Sequence, residues 1–100
     1  MIKVHISKDK IIIKGHADYA DYGKDIVCAS CSAIVITSVN LALKKDKDSL
    51  IYQEEKDKLT IEIKNTDPDI LLIINNMLDL LKELSLTYTK NIKIIEEERP

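Results

Sequence analysis

The chain has 100 residues, 45% of them apolar, and contains neither Trp nor Phe. Its 15 basic and 17 acidic side chains give a net charge of −2. The basic residues are scattered among acidic ones, which argues against direct binding of nucleic acid. We expect one domain over residues 1–100, because folding a chain of this length builds a single modest core.

The sequence predicts a cytoplasmic protein that does not bind membranes. Met1 is followed at once by an alternating pattern, and no apolar run approaches the length of a membrane span. Two cysteines three residues apart are then poor candidates for a structural disulfide, because the cytosol is reducing.

The N-terminal part predicts a β-hairpin followed by a loop. Ile2, Val4 and Ile6 alternate with polar residues, as in a strand with one wet face. A polar turn at residues 7–10 precedes a β-branched run at residues 11–13, which predicts a second strand ending near Gly15. Residues 18–23 show neither the alternation of a strand nor the spacing of a helix and are interpreted as a loop.

A helix is predicted from residue 26 to about residue 43, and it is apolar on two sides. One side carries Val27, Cys31, Ile34 and Leu41, and the other carries Ala29, Ala33, Ile36 and Leu43. A helix apolar over so much of its girth is covered on more than one side. In so small a domain, the second cover is expected to be another subunit.

The rest of the chain predicts a second hairpin, a second helix and a last strand. The hairpin strands lie near residues 50–53 and 59–64, and Asp67-Pro68 is a strong helix start. A short strand follows at residues 91–96. The order is therefore ββαββαβ, an α+β fold with an antiparallel sheet packed against two helices.

Cys28 and His16 are the candidate chemical groups. If Asp25 caps the first helix, Cys28 occupies its third position, where the helix dipole and free amides stabilise a thiolate. A nucleophilic thiol also needs a base, and a loop of this length can bring His16 to it. Residue type and spacing alone leave two plain alternatives open, a small buried thiol and a solvated loop histidine.

The stretch around these residues resembles a known signature. Gly15-His16-Ala17, Tyr22-Gly23, residues 25–29 and Ser32 are similar to the motif of the ribosomal-processing cysteine protease family. The resemblance implies a cysteine endopeptidase that removes the N-terminal extension of a large-subunit ribosomal protein precursor, the twenty-seventh of that subunit. It also implies a homodimer.

Matched to that motif, Cys28 is the nucleophile and His16 its general base. Asp25 matches the acidic position of the catalytic set, and two roles remain open for it, orienting His16 or capping the helix. The matched substrate-binding positions are Gly15, Tyr22, Gly23 and Ser32, although the Ser32 hydroxyl has the alternative of bonding back to a helix carbonyl.

Three further expectations concern the loop and the helix start. The two glycines bracket a mobile loop, and the amide of Cys28 is the natural donor to an oxyanion. Cys31 departs from the motif, either as a disulfide partner for Cys28 or as a packing residue.

Two other functions compete with proteolysis, a C-x-x-C redox protein and a noncatalytic dimeric peptide-binding module. No cofactor is expected. Zinc is disfavoured, because His16 and the two cysteines provide at most three ligands.

Overall fold

The computed structural model describes residues 1–21 and 23–97, and its elements follow the predicted order ββαββαβ. The strands and helices are β1 (Ile2–Ile6), β2 (Lys10–Lys14), α1 (Ile26–Lys45), β3 (Leu50–Glu55), β4 (Lys58–Ile63), α2 (Pro68–Thr87) and β5 (Ile92–Glu96). The predicted α+β class is confirmed.

The five strands form one mixed sheet in the order β3-β4-β2-β1-β5. The pairs β1/β2, β2/β4 and β3/β4 are antiparallel, as predicted, whereas β5 runs parallel to β1. The parallel pair arises because the long helix α2 returns the chain across the sheet before β5, so no hairpin ties β5 to a neighbour. The pairing of β2 with β4 brings the end of the first hairpin next to the tip of the second.

The core lies between one face of the sheet and the two helices. The inward side chains of β1, the apolar residues Ile2, Val4 and Ile6, are almost fully buried. The predicted apolar face of α2 is confirmed, with Ile70, Ile74, Met77 and Leu81 buried and Leu84 partly buried.

Helix α1 begins at Asp25, whose carboxylate binds four backbone amides. Oδ1 accepts hydrogen bonds from Val27 N at 3.0 Å and Cys28 N at 2.9 Å. Oδ2 accepts from Tyr19 N at 3.0 Å and Ala20 N at 3.4 Å. One side chain therefore caps the helix and ties the preceding loop to it.

Only one side of α1 is covered within the single chain. Val27, Cys31 and Val35 belong to the buried side. Ile26, Ile36 and Leu41 each expose slightly more than half of their surface. Of the second side predicted from the sequence, Ala29, Ala33 and Ile36 are exposed, whereas Leu43 is half-buried against the core. Leu41, predicted on the same side as Val27 and Cys31, is exposed instead.

Helix α1 corrects the expectation that no apolar stretch approaches the length of a membrane span. Its 20 residues are long and apolar enough to cross a bilayer by length and composition. In the fold, however, this helix packs against α2 and β3, and its covered side is part of the core.

Replacing Asp25 tests the cap. We expect the melting temperature at pH 7 to fall in the order wild type, Asp25→Asn, Asp25→Ala, because Asn keeps one acceptor oxygen and Ala keeps none. The amide of Cys28 is the first cause that lowers the pKa of Asp25 below the ordinary 3.8. The carboxylate therefore stabilises the fold above about pH 3.8, and the wild-type advantage over Asp25→Asn should fade below that pH. Equal melting temperatures at pH 7 would contradict this role.

Replacing Cys31 tests its burial in the core. Burial, with a smaller contribution from the nearby Cys28, raises the pKa of Cys31 from 9.0 to about 11. A raised pKa favours the neutral thiol in the folded state, so stability should be lost as the pH rises from 9 to about 11. Urea unfolding at pH 8 and pH 11 should show a loss larger by about 2 to 3 kcal/mol in the wild type than in Cys31→Val. An identical pH dependence in both proteins would contradict the prediction.

Candidate active site

The candidate site lies where three segments meet, namely the end of β2, the start of α1 and the tip of the β3–β4 hairpin. His16 follows β2, Cys28 lies in the first turn of α1, and Asp57 lies in the hairpin turn. The sheet register and the cap of α1 together fix this meeting point.

The sulfur of Cys28 is partly buried and accepts a hydrogen bond. Its donor is the backbone N–H of Ala17, with 3.2 Å between nitrogen and Sγ. The sulfur therefore lies in the first turn of α1, within hydrogen-bond distance of a loop amide. The amide of Cys28 itself donates to Asp25, so it is not available as the oxyanion donor that the sequence suggested.

The imidazole of His16 contacts a carboxylate other than the one predicted. Its Nε2 lies 2.6 Å from Oδ1 of Asp57. The two oxygens of Asp25 are occupied by the backbone amides of the helix and the loop. Of the two roles left open for Asp25, its contacts are those of the helix cap.

His16 and Cys28 lie beside the same two depressions. Among the residues that the structure describes, 1–21 and 23–97, no hydrogen bond joins their side chains. Both side chains line two depressions, one of about 600 Å³ and one of about 220 Å³. Ser32 also borders both depressions. These three side chains thus stand on the boundary between two hollows.

The sequence did not single out Asp57, which lies among charged residues between the two strands predicted near residues 50–53 and 59–64. The only sequence signal was an acidic residue in a hairpin turn. Its relation to His16 depends on the pairing of β2 with β4, which places Lys14 opposite Lys58. That pairing joins two separate hairpins and is not encoded in the periodicity of either.

The loop between β2 and α1 is held at several points besides Asp25. Asn91 Nδ2 donates to the carbonyl oxygen of Ala17 at 2.9 Å. The ring of Tyr19 meets that of Tyr88 edge to face, with centroids 5.4 Å apart. The terminal amine of Met1 lies 3.0 Å from Asp18. These contacts fix the residues on either side of the Ala17 amide that binds Cys28.

The two glycines of the motif have different surroundings. Gly15 has φ +88°, and a Cβ there would lie 2.6 Å from the carbonyl oxygen of Met1, so a side chain has no room. Gly23 has φ +83° but no atom within 4 Å of such a Cβ, and it borders the larger depression. Gly15 is therefore explained by close packing, and Gly23 by its backbone angle.

Ser32 and Tyr22 are the other two positions predicted to bind substrate. Ser32 is exposed, and within the described segments its hydroxyl makes no hydrogen bond, so the alternative bond to a helix carbonyl is not formed. Ser32 is open to a ligand. Tyr22 lies outside the described residues.

Cys31 is buried and only 4% exposed, in the core against the sheet. Both cysteines are free thiols. Because burial keeps the pKa of Cys31 near 11, this thiol is neutral at pH 7 and poorly suited to exchange disulfides. Its position favours packing over the redox function of a C-x-x-C pair.

Comparison with known proteins gives one consistent family. A family model described as cysteine protease Prp matches residues 1–93. A ribosomal processing cysteine protease Prp from Staphylococcus aureus is 34% identical over 87 residues, covering 84% of this chain and 82% of the relative. A protein of the same name from Mycoplasma genitalium is 34% identical over 99 residues and covers 97% of each chain.

The fold is similar to crystal structures of the essential ribosomal processing protease Prp from S. aureus. The complex with a covalently linked product peptide has a TM-score of 0.85 and 27% identity, with 96% of this chain and 97% of that one covered. The complex with a substrate peptide has a TM-score of 0.80, 25% identity and the same coverage. The chain is therefore a cysteine protease and belongs to the cysteine protease Prp family.

Proposed function

We propose that this protease removes the N-terminal extension of the precursor of the twenty-seventh large-subunit ribosomal protein, with Cys28 as nucleophile and His16 as general base. The observation that carries the proposal is the sulfur of Cys28 at the start of α1, 3.2 Å from the Ala17 amide and beside His16. The relatives named ribosomal processing proteases support the substrate class.

The proposed reaction begins with attack of the Cys28 thiolate on the scissile carbonyl carbon. A carbon–sulfur bond forms, and the negative charge moves to the carbonyl oxygen. As the carbon–nitrogen bond breaks, the leaving amine takes the proton that His16 received from the thiol. In the second half, His16 takes a proton from water, the resulting hydroxide attacks the acyl carbon, and the thiolate leaves.

The donor best placed for the oxyanion is the amide of Ala17. This N–H donates to Sγ, so it lies close to the carbon that Sγ attacks. Once sulfur has bonded to the carbonyl carbon in the tetrahedral intermediate it loses its charge, and the adjacent oxyanion becomes the stronger acceptor for this N–H. The loop therefore supplies a group that α1 does not, because Asp25 already uses the amides of Val27 and Cys28.

We further infer a homodimer, in which the open side of α1 meets a second copy. The helix groove, lined by Ala33, Ile34 and Leu41 of α1 and by Leu72, Ile73 and Leu80 of α2, is a hollow of about 640 Å³. Leu41 is 53% exposed and Leu72 is 68% exposed. An open apolar surface of this kind on so small a chain is typical of a self-association site. A cytoplasmic location follows for this enzyme, because its proposed substrate is made there.

The catalytic assignment is tested on the purified precursor. Cleavage should fall by more than about a thousandfold in Cys28→Ala, which lacks the nucleophile, and by roughly a hundredfold or more in His16→Ala. Mass spectrometry of the products measures both rates and locates the cut. Binding of a fluorescent precursor peptide should persist in Cys28→Ala.

Cys31→Ala is the matched control, because it removes the other thiol and should cleave at a rate close to that of the wild type. Unrelated unfolded proteins should remain intact. Full cleavage by Cys28→Ala would contradict the nucleophile assignment, and broad digestion of the unrelated proteins would contradict the narrow substrate.

The dimer is tested by adding charge to the helix groove. Leu72→Glu should convert the protein from a dimer to a monomer of 11.4 kDa, because a buried, unpaired carboxylate disfavours association. Light scattering after size-exclusion chromatography measures the mass. Ile51→Glu is the control, since Ile51 is 44% exposed and lies on β3 away from the groove. A monomeric wild type would contradict the proposal.

A further inference from the structure

The contact between His16 and Asp57 carries an inference beyond the proposed function, on which it rests. Nε2 of His16 and Oδ1 of Asp57 lie 2.6 Å apart, in ion-pair contact. Asp57 lies outside the sequence motif of residues 15–32. We propose that Asp57 is a positioning residue that holds His16 in the ring orientation and tautomer required to accept a proton from Cys28.

The backbone around Asp57 keeps it in place. It occupies the turn between β3 and β4 with φ +59°, a conformation that few residues other than Gly, Asn and Asp adopt readily. Its carbonyl oxygen accepts the N–H of Gly15 at 3.0 Å. Because Gly15 directly precedes His16, this one backbone hydrogen bond holds both Asp57 and His16 at the same end of the β2–β4 pair.

The carboxylate determines which imidazole nitrogen carries a proton. An ionised carboxylate only accepts hydrogen bonds, so Nε2 of the neutral ring must be the protonated nitrogen. The other nitrogen, Nδ1, then has the free lone pair and is the atom that accepts the proton of Cys28. After that transfer, the carboxylate stabilises the positive ring without taking a proton itself.

The surroundings of the pair limit the size of its effect. The side chains of His16 and Asp57 are 60% and 45% exposed. Water competes with exposed ionic contacts, so Asp57 should contribute less than the buried aspartate of a serine protease. We expect removal of its carboxylate to lower kcat by roughly tenfold, with KM unchanged, because Asp57 acts through His16 and not on the peptide.

Two variants distinguish the effect of the Asp57 carboxylate from that of its turn conformation. Asp57→Gly removes the side chain and tolerates φ +59° without strain. Asp57→Asn also accepts this conformation and keeps an oxygen that can accept from Nε2, but it has no charge. The expected order of kcat is wild type, Asp57→Asn, Asp57→Gly. Melting temperatures of both variants control for changes in the fold.

The decisive experiment places Asp57→Gly in the wild type and in His16→Ala. Cleavage of the precursor under single-turnover conditions and alkylation of Cys28 by iodoacetamide, located by mass spectrometry, are measured for all four proteins. If Asp57 acts through His16, its replacement lowers the wild-type rates by about tenfold and changes those of His16→Ala by less than about twofold.

Other outcomes overturn the proposal in distinguishable ways. An unchanged rate for Asp57→Gly in the wild type, with His16→Ala impaired, rejects the role of Asp57 alone. An equal loss in both backgrounds shows that Asp57 acts only through the fold. A faster rate shows that Asp57 holds His16 away from Cys28. Normal rates for His16→Ala reject the proposed general base, and the role of Asp57 with it.

Discussion

The carboxylate of Asp25 is the interaction on which the site depends. It binds two amides at the start of α1 and two in the loop that carries Ala17. The first pair begins the helix at a residue that places Cys28 in its first turn. The second pair holds the loop against that turn, so the Ala17 amide reaches the sulfur. A single side chain thereby couples the helix that carries Cys28 to the loop whose amide contacts its sulfur.

The sheet provides the other half of the arrangement. Pairing of β2 with β4 brings the tip of the second hairpin beside the residue that follows β2, and the bond from Gly15 to Asp57 closes this junction. The parallel pairing of β5 with β1 has a comparable effect on the loop, because Asn91, just before β5, bonds to Ala17. Residues far apart in the sequence therefore hold the loop on two sides.

The sequence predicted the local structure better than the contacts between elements. Alternation located the hairpins, and Asp25 and Asp67 located the helix starts, because these signals depend on neighbours a few residues away. The signature at residues 15–32 predicted the family, and the match over residues 1–93 confirmed it. The parallel strand β5, by contrast, depends on how α2 lies across the sheet. The contact of Asp57 with His16 depends on the register between two hairpins. Neither feature can be predicted from the periodicity of a single segment.

The first amides of helix α1 donate to its own cap, Asp25, so the hydrogen bond to the sulfur of Cys28 comes from the preceding loop. Asp18, the residue after Ala17 in that loop, borders the larger depression beside Cys28. Any displacement of that loop takes the Ala17 N–H away from Cys28. The hydrogen bond to Cys28 therefore depends on the position of the loop, whereas a donor on α1 would be fixed by the helix itself.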